Sequence, residues 1–105
     1  MIARIVEVVA KRGRSEEVYR IVEQRILPLV RRLDGFLRKW TLVSRDDPRR
    51  IVFFSFWTTP AAVAEYDKSV YPRIYDLLKD FIRTAPFAQV FDVRNGTPIN
   101  CVSAW

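Results

Sequence analysis

Aromatic side chains at predicted element ends are the residues of this sequence best suited to hold a small flat molecule. Trp57 ends an apolar run where a helix is predicted to begin, and Trp40 lies on the preceding predicted strand. A tryptophan at such a junction can form a pocket wall that stacks on a flat ligand. It can equally be a core residue that covers a helix end. Trp40 could line the same cavity or an interface between subunits.

Three tyrosines and two arginines extend this set of candidate ligand-binding residues. Tyr66, Tyr71 and Tyr75 lie on or beside the second predicted helix, where a hydroxyl can orient a phenol or donate a proton. The common alternative is a half-buried tyrosine whose hydroxyl reaches water or backbone. Arg38 and Arg73 can pair with a substrate anion. Their common alternative is a solvated arginine.

Histidine is absent from the sequence, which excludes several kinds of active site. It removes the usual general base near neutral pH, the commonest transition-metal ligand, and the Ser-His-Asp and Cys-His nucleophile systems. Asp76 and Asp80 are four residues apart on one predicted helix face, but without a third ligand nearby they favour a solvated acidic edge. Cys101 is the only cysteine, and an idle thiol is its simplest interpretation. We expect neither a metal nor a cofactor, and we assign no catalytic residue.

Length and composition indicate one globular domain over residues 1–105, half of whose residues are apolar. No apolar run approaches the roughly 20 residues of a membrane span. The first residues lack signal-peptide features, so we expect a cytoplasmic protein. The net charge of +6 makes nucleic acid worth testing. The arginines, however, come as scattered pairs among acidic residues, which favours an ordinary solvated surface.

The apolar run 51–57, Ile-Val-Phe-Phe-Ser-Phe-Trp, predicts a central β-strand with two covered faces. Phe53 and Trp57 point one way, while Val52, Phe54 and Phe56 point the other. Helices of the same chain can cover one face. A second copy of the chain is the predicted cover for the other.

The remaining elements follow from periodicity and turn signals. Strands are predicted over 2–10, 36–45 and 87–94, with Phe36, Trp40 and Leu42 on one face of the second. The turn 46–49, Asp-Asp-Pro-Arg, predicts an antiparallel hairpin between strands two and three. Residues 97–105 are an apolar tail, Thr97 to Trp105, predicted to dock on this subunit or its neighbour.

Two helical regions separate these strands. The first is predicted to begin at Ser15 as N-cap, to kink or end near Leu27 because of Pro28, and to stop at Asp34-Gly35. Its predicted buried stripe is Val18, Val22, Ile26, Leu29 and Leu33. The second begins after Thr59 with Pro60 at its first position, breaks at Tyr71-Pro72, and keeps helical periodicity through Ile82.

The order β-α-β-β-α-β predicts an α+β, ferredoxin-like fold with a four-stranded antiparallel sheet. Right-handed crossovers place strands one and three in the middle and both helical regions on one face. The opposite face is apolar and uncovered, so two chains stacked back to back as a homodimer would bury it.

At this point the chain resembles the antibiotic biosynthesis monooxygenase superfamily of dimeric α+β barrels. The resemblance covers about residues 1–95. It depends on four passages: 28–36, ending Asp-Gly-Phe; 44–57, from Ser-Arg-Asp-Asp-Pro to Trp57; 58–62, Thr-Thr-Pro-Ala-Ala; and Glu65-Tyr66 through Tyr71-Pro72.

The resemblance implies a homodimer with a pocket between sheet and helices in each subunit. It also implies cofactor-independent oxygenation of phenol-like or quinol-like compounds. The haem-degrading subgroup uses an axial histidine, which this chain lacks. The alternative is a non-catalytic, dimeric interaction or ligand-binding module.

Overall fold

A four-stranded antiparallel sheet with helices packed on one face forms the fold of this chain. The computed structural model describes residues 1–97. The strands are β1 (Ile2–Val9), β2 (Phe36–Val43), β3 (Arg50–Trp57) and β4 (Phe87–Asp92), in the order β2-β3-β1-β4. The predicted ferredoxin-like plan, with strands one and three in the middle, is confirmed. Most of the predicted tail, including Cys101, lies outside the described residues.

The two faces of the sheet differ in what covers them. In β1, Val6 faces the helices and is opposite Phe53 of β3. In β3, Ile51 and Trp57 face the same side and are at most 1% exposed. Phe54 and Phe56 lie on the other side of β3, which we call the open face. Both faces of β3 are therefore apolar, as the uninterrupted run predicted.

The first helical region runs continuously through its proline. It consists of α1 (Ser15–Ile21), a π-helical turn (Val22–Ile26) and α2 (Leu27–Val30). A proline inside an α-helix lacks an amide hydrogen and crowds the preceding turn, and a wide π turn relieves both problems. Of the two predicted alternatives, a kink or an end near Leu27, the helix does not end there. It has an irregular π turn directly before Leu27 instead, followed by the short helix α2.

The buried stripe of this region and its first residue also differ from the prediction. The buried residues are Val18, Val22, Ile26 and Val30, each four after the last, because the π turn lengthens the local repeat. Val30 takes the place predicted for Leu29. Ser15 is the first helical residue rather than the N-cap, since Arg14 occupies that position.

A β-bulge at the start of β2 changes which side chains face the helices. Phe36 is opposite Trp57, but Arg38 is opposite Phe56, so β2 contains one more residue than β3 at this point. Phe36 therefore faces the helices and contacts Trp57 edge-on, with ring centroids 5.4 Å apart. Trp40 faces the open side, so the prediction that Phe36 and Trp40 share a face is wrong.

The second helical region begins as predicted and ends earlier. Helix α3 (Pro60–Ser69) is capped by Thr59, whose hydroxyl accepts a hydrogen bond from the Ala62 amide at 3.2 Å. Helix α4 (Tyr71–Leu78) stops before Ile82, which forms a β-bridge with Ala10 instead. Strands one, two and four also end before the predicted Ala10, Arg45 and Arg94.

Gly35 makes the close turn that joins the first helical region to β2. Its φ is +82°, and a Cβ there would lie 2.5 Å from the Ala62 Cβ and 2.9 Å from the Thr58 hydroxyl. The Gly35 carbonyl accepts a hydrogen bond from the Thr58 amide at 2.8 Å. Glycine at position 35 therefore permits both the left-handed backbone conformation and the close approach to α3.

We predict that Gly35→Ala lowers the free energy of unfolding by about 3 kcal/mol, because left-handed strain and overpacking add. Gly13→Ala is the matched control: its φ is +76° and nothing lies within 4 Å of the added methyl group. The control should lose only about 1 kcal/mol from backbone strain. Urea unfolding of both variants measures the difference, and equal losses would contradict the close approach at Gly35.

Candidate functional site

A row of polar side chains crosses the helix-covered face of the sheet. Lys39 of β2 is opposite Ser55 of β3, which in turn is opposite Arg4 of β1. Side chains opposite each other in an antiparallel pair lie on the same face. The Ser55 hydroxyl accepts a hydrogen bond from Trp57 Nε1 at 3.0 Å and donates to the Arg4 carbonyl at 3.4 Å. Ser55 is therefore satisfied within the protein.

Arg4 is a buried cation held between a carboxylate and two aromatic rings. Only 3% of the residue is exposed. Its Nε donates to Asp67 Oδ1 of α3 at 2.9 Å, and its guanidinium carbon lies 4.9 Å and 4.6 Å from the ring centroids of Tyr66 and Tyr71. Nη2 is also 2.9 Å from that oxygen, but it makes no hydrogen bond to any described residue. The ion pair and the rings fix the guanidinium.

Lys39 is a second cation at the site, and the structure gives it no carboxylate. Its ammonium lies 4.3 Å from the centroid of the Phe53 ring, and Nζ makes no hydrogen bond within the described part of the chain. Burial, helped by the positive charge of Arg4, lowers the pKa of Lys39 from 10.5 to about 8. A buried amine with this pKa can exchange a proton near neutral pH.

A small cavity lies between the sheet and the helices beside these cations. Its volume is about 30 Å³, enough for one or two water molecules. Aromatic side chains make up much of its wall: Phe53, Trp57, Tyr66, Tyr71 and Tyr75. Trp57 packs on Tyr66 with centroids 4.9 Å apart. The site is thus a nearly filled, aromatic-walled cavity with two cations at its edge.

The tyrosines at this cavity can donate hydrogen bonds rather than accept protons. Burial raises the pKa of Tyr66 to about 12, against the opposing effect of the Arg4 charge. Burial also raises the pKa of Tyr71, and Arg4 again opposes the shift. Both phenols are therefore protonated at neutral pH. The Tyr71 hydroxyl is buried, and a hydrogen bond with Arg4 contributes to that opposing effect.

The three buried polar atoms that lack a described partner all belong to residues of this cavity wall. They are Arg4 Nη2, Lys39 Nζ and the Tyr71 hydroxyl. Unpaired buried donors cost folding free energy, so they usually pair with water or a ligand. Arg4 Nη2 nevertheless lies 2.9 Å from Asp67 Oδ1, and the Tyr71 hydroxyl can accept as well as donate. Lys39 Nζ is therefore the atom for which an added acceptor is most favourable.

The structure places four of the seven predicted ligand-binding residues around this cavity, namely Trp57, Tyr66, Tyr71 and Tyr75. Trp40 and Arg38 lie on the open face, since they are opposite Phe54 and Phe56. Arg73 lines a separate surface depression together with Asp76 and Leu77. No cluster of metal-ligating side chains occurs among residues 1–97.

Sequence reasoning missed Arg4 and Lys39, the two cations of the site. Arg4 lies on the same face of β1 as Ile2, Val6 and Val8, which are all buried. A charged residue in the buried phase of a strand was the available signal, because its charge must then be paired or bind something. Lys39 gave a weaker signal, since its orientation depends on the bulge at Phe36.

Comparison with known proteins places this geometry in a family. A model described as antibiotic biosynthesis monooxygenase matches residues 1–82, which is most of the chain. No curated protein sequence matches this chain. No helix within residues 1–97 has the length and apolar character needed to cross a membrane.

Solved structures share this fold over most of their length. A Nitrosomonas europaea protein described as an antibiotic biosynthesis monooxygenase is 21% identical, with a TM-score of 0.76, over 90% of this chain and 100% of that one. SnoaB, a cofactor-independent oxygenase from Streptomyces nogalater, is 18% identical, with a TM-score of 0.79, over 93% and 97%. Shewanella oneidensis protein SO0527 is 24% identical, with a TM-score of 0.68, over 87% and 92%. At these identities the likeness concerns the fold alone.

We predict that Lys39→Met stabilises the protein at neutral pH, because it removes a buried charge that has no carboxylate partner. The lowered pKa corresponds to roughly 3 kcal/mol. Between pH 8 and 10.5 the unfolded chain holds the Lys39 proton and the folded chain does not. The free energy of unfolding of the wild type therefore increases as pH rises through this window. The stabilisation that Lys39→Met gives relative to wild type becomes smaller.

Urea unfolding at pH 7 and pH 9.5 measures this effect, with Lys68→Met as the matched control. Lys68 is exposed on α3, so the same chemical change there should alter stability by less than about 0.5 kcal/mol at either pH. A Lys39→Met variant that is less stable than wild type at pH 7 would show that the ammonium has a stabilising partner.

Proposed function

Because this chain belongs to the antibiotic biosynthesis monooxygenase family, we propose that it binds a small phenol-like or quinol-like aromatic compound and oxygenates it without a cofactor. One observation carries the proposal: an aromatic-walled cavity is bordered by Arg4, the Tyr71 hydroxyl and Lys39, whose Nζ makes no hydrogen bond within the described residues. Rings in the wall suit a flat ligand, and hydrogen-bond donors suit its oxygen atoms. SnoaB is a cofactor-independent oxygenase, and the same activity is proposed for this chain by analogy of fold.

The proposed reaction requires the protein to favour an electron-rich form of its substrate. In the simplest case a phenol and one dioxygen molecule give a para-quinone and one water molecule. One oxygen atom becomes the new carbonyl and the other leaves as water, while the substrate supplies all four electrons. Loss of the phenolic proton makes the ring a better electron donor. Positive charge from Arg4 and Lys39 would stabilise that anion.

The cavity must enlarge before it can hold such a ring. Its volume of about 30 Å³ is well below the roughly 150 Å³ of an engineered cavity that binds benzene. Tyr71 and Tyr75 are the partly exposed aromatic rings of the wall on α4, and Tyr71 directly follows the break between α3 and α4. We infer that these two side chains move outward when a ligand enters.

We also propose that the chain acts as a homodimer that buries the open face. Phe54 and Phe56 lie there with ring centroids 5.0 Å apart, and Trp40 lies within 6.0 Å of both. Leu42 and Phe91 on the same face are each 47% exposed. An aromatic patch of this kind is typical of a surface that pairs with another protein. A two-fold arrangement brings the patch against its own copy.

We expect quinols, phenols and polycyclic aromatic compounds to raise the melting temperature of the protein. The physical reason is that a ligand bound only by the folded state stabilises that state. A thermal-shift screen measures the effect. If the melting temperature is unchanged by every compound, the proposed ligand class is wrong.

Oxygen consumption is then measured with a compound that binds, in the absence of added metal or flavin. This measurement distinguishes an oxygenase from a binding protein. Uptake of one dioxygen per quinone formed supports catalysis. Binding without uptake favours the alternative, a non-catalytic ligand-binding module with the same cavity.

We predict that Phe54→Glu converts the dimer into a monomer, because it places a charge at the centre of the open face. Ala64→Glu is the control, since it adds the same charge at an exposed position of α3 on the helical side. Light scattering across a dilution series should give twice the mass of one chain for wild type and Ala64→Glu, and the mass of one chain for Phe54→Glu. A wild-type monomer at all concentrations would overturn the dimer.

A further inference from the structure

We propose that Lys39 is a nucleophilic amine that forms an imine with small uncharged aldehydes, which reach it from an open depression of the surface. Its Nζ is buried at the cavity without a hydrogen-bond partner among residues 1–97, and its side chain also borders that depression. This covalent chemistry goes beyond the proposed oxygenation and does not depend on it. It follows from the position of Lys39, the state of its amine and the charge of the product.

Lys39 lies between the interior of the protein and its surface. The residue as a whole is half-buried, while Nζ is buried beside the cavity. The same side chain lines a surface depression between the first helical region and β2. Among the described residues, Val22 is the other one that borders both spaces. The two spaces therefore adjoin at Lys39 and Val22, which is where a small molecule would pass from the surface to the amine.

No carboxylate within residues 1–97 forms a hydrogen bond with the Lys39 amine, although charged and titratable groups lie on both sides of it. Those on the cavity side are Arg4 of β1, Tyr66 and Asp67 of α3, and Tyr71 and Tyr75 of α4. Those along the depression are Glu16, Tyr19, Arg20 and Glu23 of the first helical region. Asp67 is paired with Arg4 at 2.9 Å, and both glutamates are exposed. The described wall residues of β3 are uncharged. The ammonium therefore has an aromatic contact, the Phe53 ring 4.3 Å away, in place of an ion pair.

The surroundings of Lys39 favour the neutral, nucleophilic form of its amine. Burial, together with the charge of Arg4, lowers the pKa of Lys39 from 10.5 to about 8. At pH 7 about one Lys39 amine in ten is then neutral, against fewer than about one in a thousand for an ordinary lysine. A lysine that is desolvated or lies next to another cation is a recurrent nucleophile toward carbonyl compounds. Lys39 meets both conditions.

Imine formation conserves the charge at this point of the interior. The lone pair of the amine adds to the carbonyl carbon, and a proton moves from nitrogen to oxygen to give a carbinolamine. The carbinolamine then loses its hydroxyl group as water. Overall, one ammonium and one aldehyde give one protonated imine and one water molecule, without an oxidant or a reductant. The product keeps a cation beside the Phe53 ring, so the reaction buries no new unpaired charge.

The dimensions of the cavity restrict the aldehyde. Its volume of about 30 Å³ holds one or two water molecules, so a two-carbon aldehyde requires little rearrangement of the wall. A large or charged aldehyde would have to displace wall residues or bury a further charge. The ligand class is therefore a short, uncharged aldehyde.

Acetaldehyde with cyanoborohydride tests the reactivity of Lys39, because this reductant traps an imine as a stable alkylamine. The other three lysines, Lys11, Lys68 and Lys79, are exposed and serve as internal controls. We expect Lys39 of the folded protein to be modified at least about tenfold faster than these at pH 7. Peptide mass mapping at short reaction times measures each rate. In urea the preference should disappear, since it depends on the fold.

The pH dependence of the same ratio tests the cause of the reactivity. Above pH 8 most Lys39 amines are already neutral, whereas an ordinary exposed lysine continues to lose its proton up to about pH 10.4. The rate at Lys39 relative to the rate at Lys68 should therefore fall as pH rises from 8 to 10. A constant or rising ratio would contradict the assigned amine.

Two variants of equal chemistry test the route from the depression. Val22 and Val30 are both buried in the cavity wall, but only Val22 borders the depression. We expect Val22→Ala to raise the rate at Lys39 about threefold or more and Val30→Ala to leave it nearly unchanged, because each removes the same methyl groups from a different side. Circular dichroism shows whether both variants are folded. Equal rates in two folded variants would overturn the route.

The wild-type protein alone decides the remaining points. Lys39 modified no faster than the exposed lysines, or a preference that persists in urea, would overturn the nucleophile. Pyridoxal phosphate, a bulky and charged aldehyde, should modify the exposed lysines without preference for Lys39. An equal preference for Lys39 with this reagent would overturn the restriction to small uncharged aldehydes.

Discussion

The pairing of Arg4 with Asp67 is the interaction on which the interior of this protein depends. A guanidinium on a central strand is buried beneath the second helical region, and a carboxylate of α3 reaches down to it at 2.9 Å. The rings of Tyr66 and Tyr71 lie against the same group. A charge in this position is costly unless it is paired. The placement of α3 over the sheet and the orientation of both tyrosines are therefore coupled to one charged contact.

The second cation shows how stability and function are set against each other. Lys39 lies in the interior with an aromatic ring near its ammonium and no carboxylate among its described contacts. Hydrophobic residues of similar size would make a more stable core. Strained or uncompensated groups of this kind are common where a protein binds or transforms a ligand. The proposed oxygenation is consistent with that interpretation, because it calls for an electron-rich substrate.

Local signals in the sequence were sufficient to predict the fold. Long-range contacts determined the features that the sequence did not predict. The apolar run 51–57 predicted a central strand, and Thr59 with Pro60 marked the start of α3, as observed. Ile82 kept helical periodicity but pairs with Ala10 across the fold, which no local pattern reveals. The aromatic part of the candidate site was predicted because rings cluster near element ends. Its cations were not, because a charged residue is normally assigned to the surface unless the phase of its strand is considered.

The bulge between Phe36 and Arg38 has a consequence for how this site could change over time. One surplus residue on β2 sets the phase of everything after it, so that Lys39 lies inside and Arg38 outside. Regular pairing from Phe36 onward, with no residue removed, would place Arg38 opposite Ser55 and Lys39 opposite Phe54. A flexible amine would then leave the interior and a rigid, permanently charged guanidinium would enter. Related chains could thus acquire a different ionisable group at the same point by moving the bulge alone, with every side chain in the segment retained.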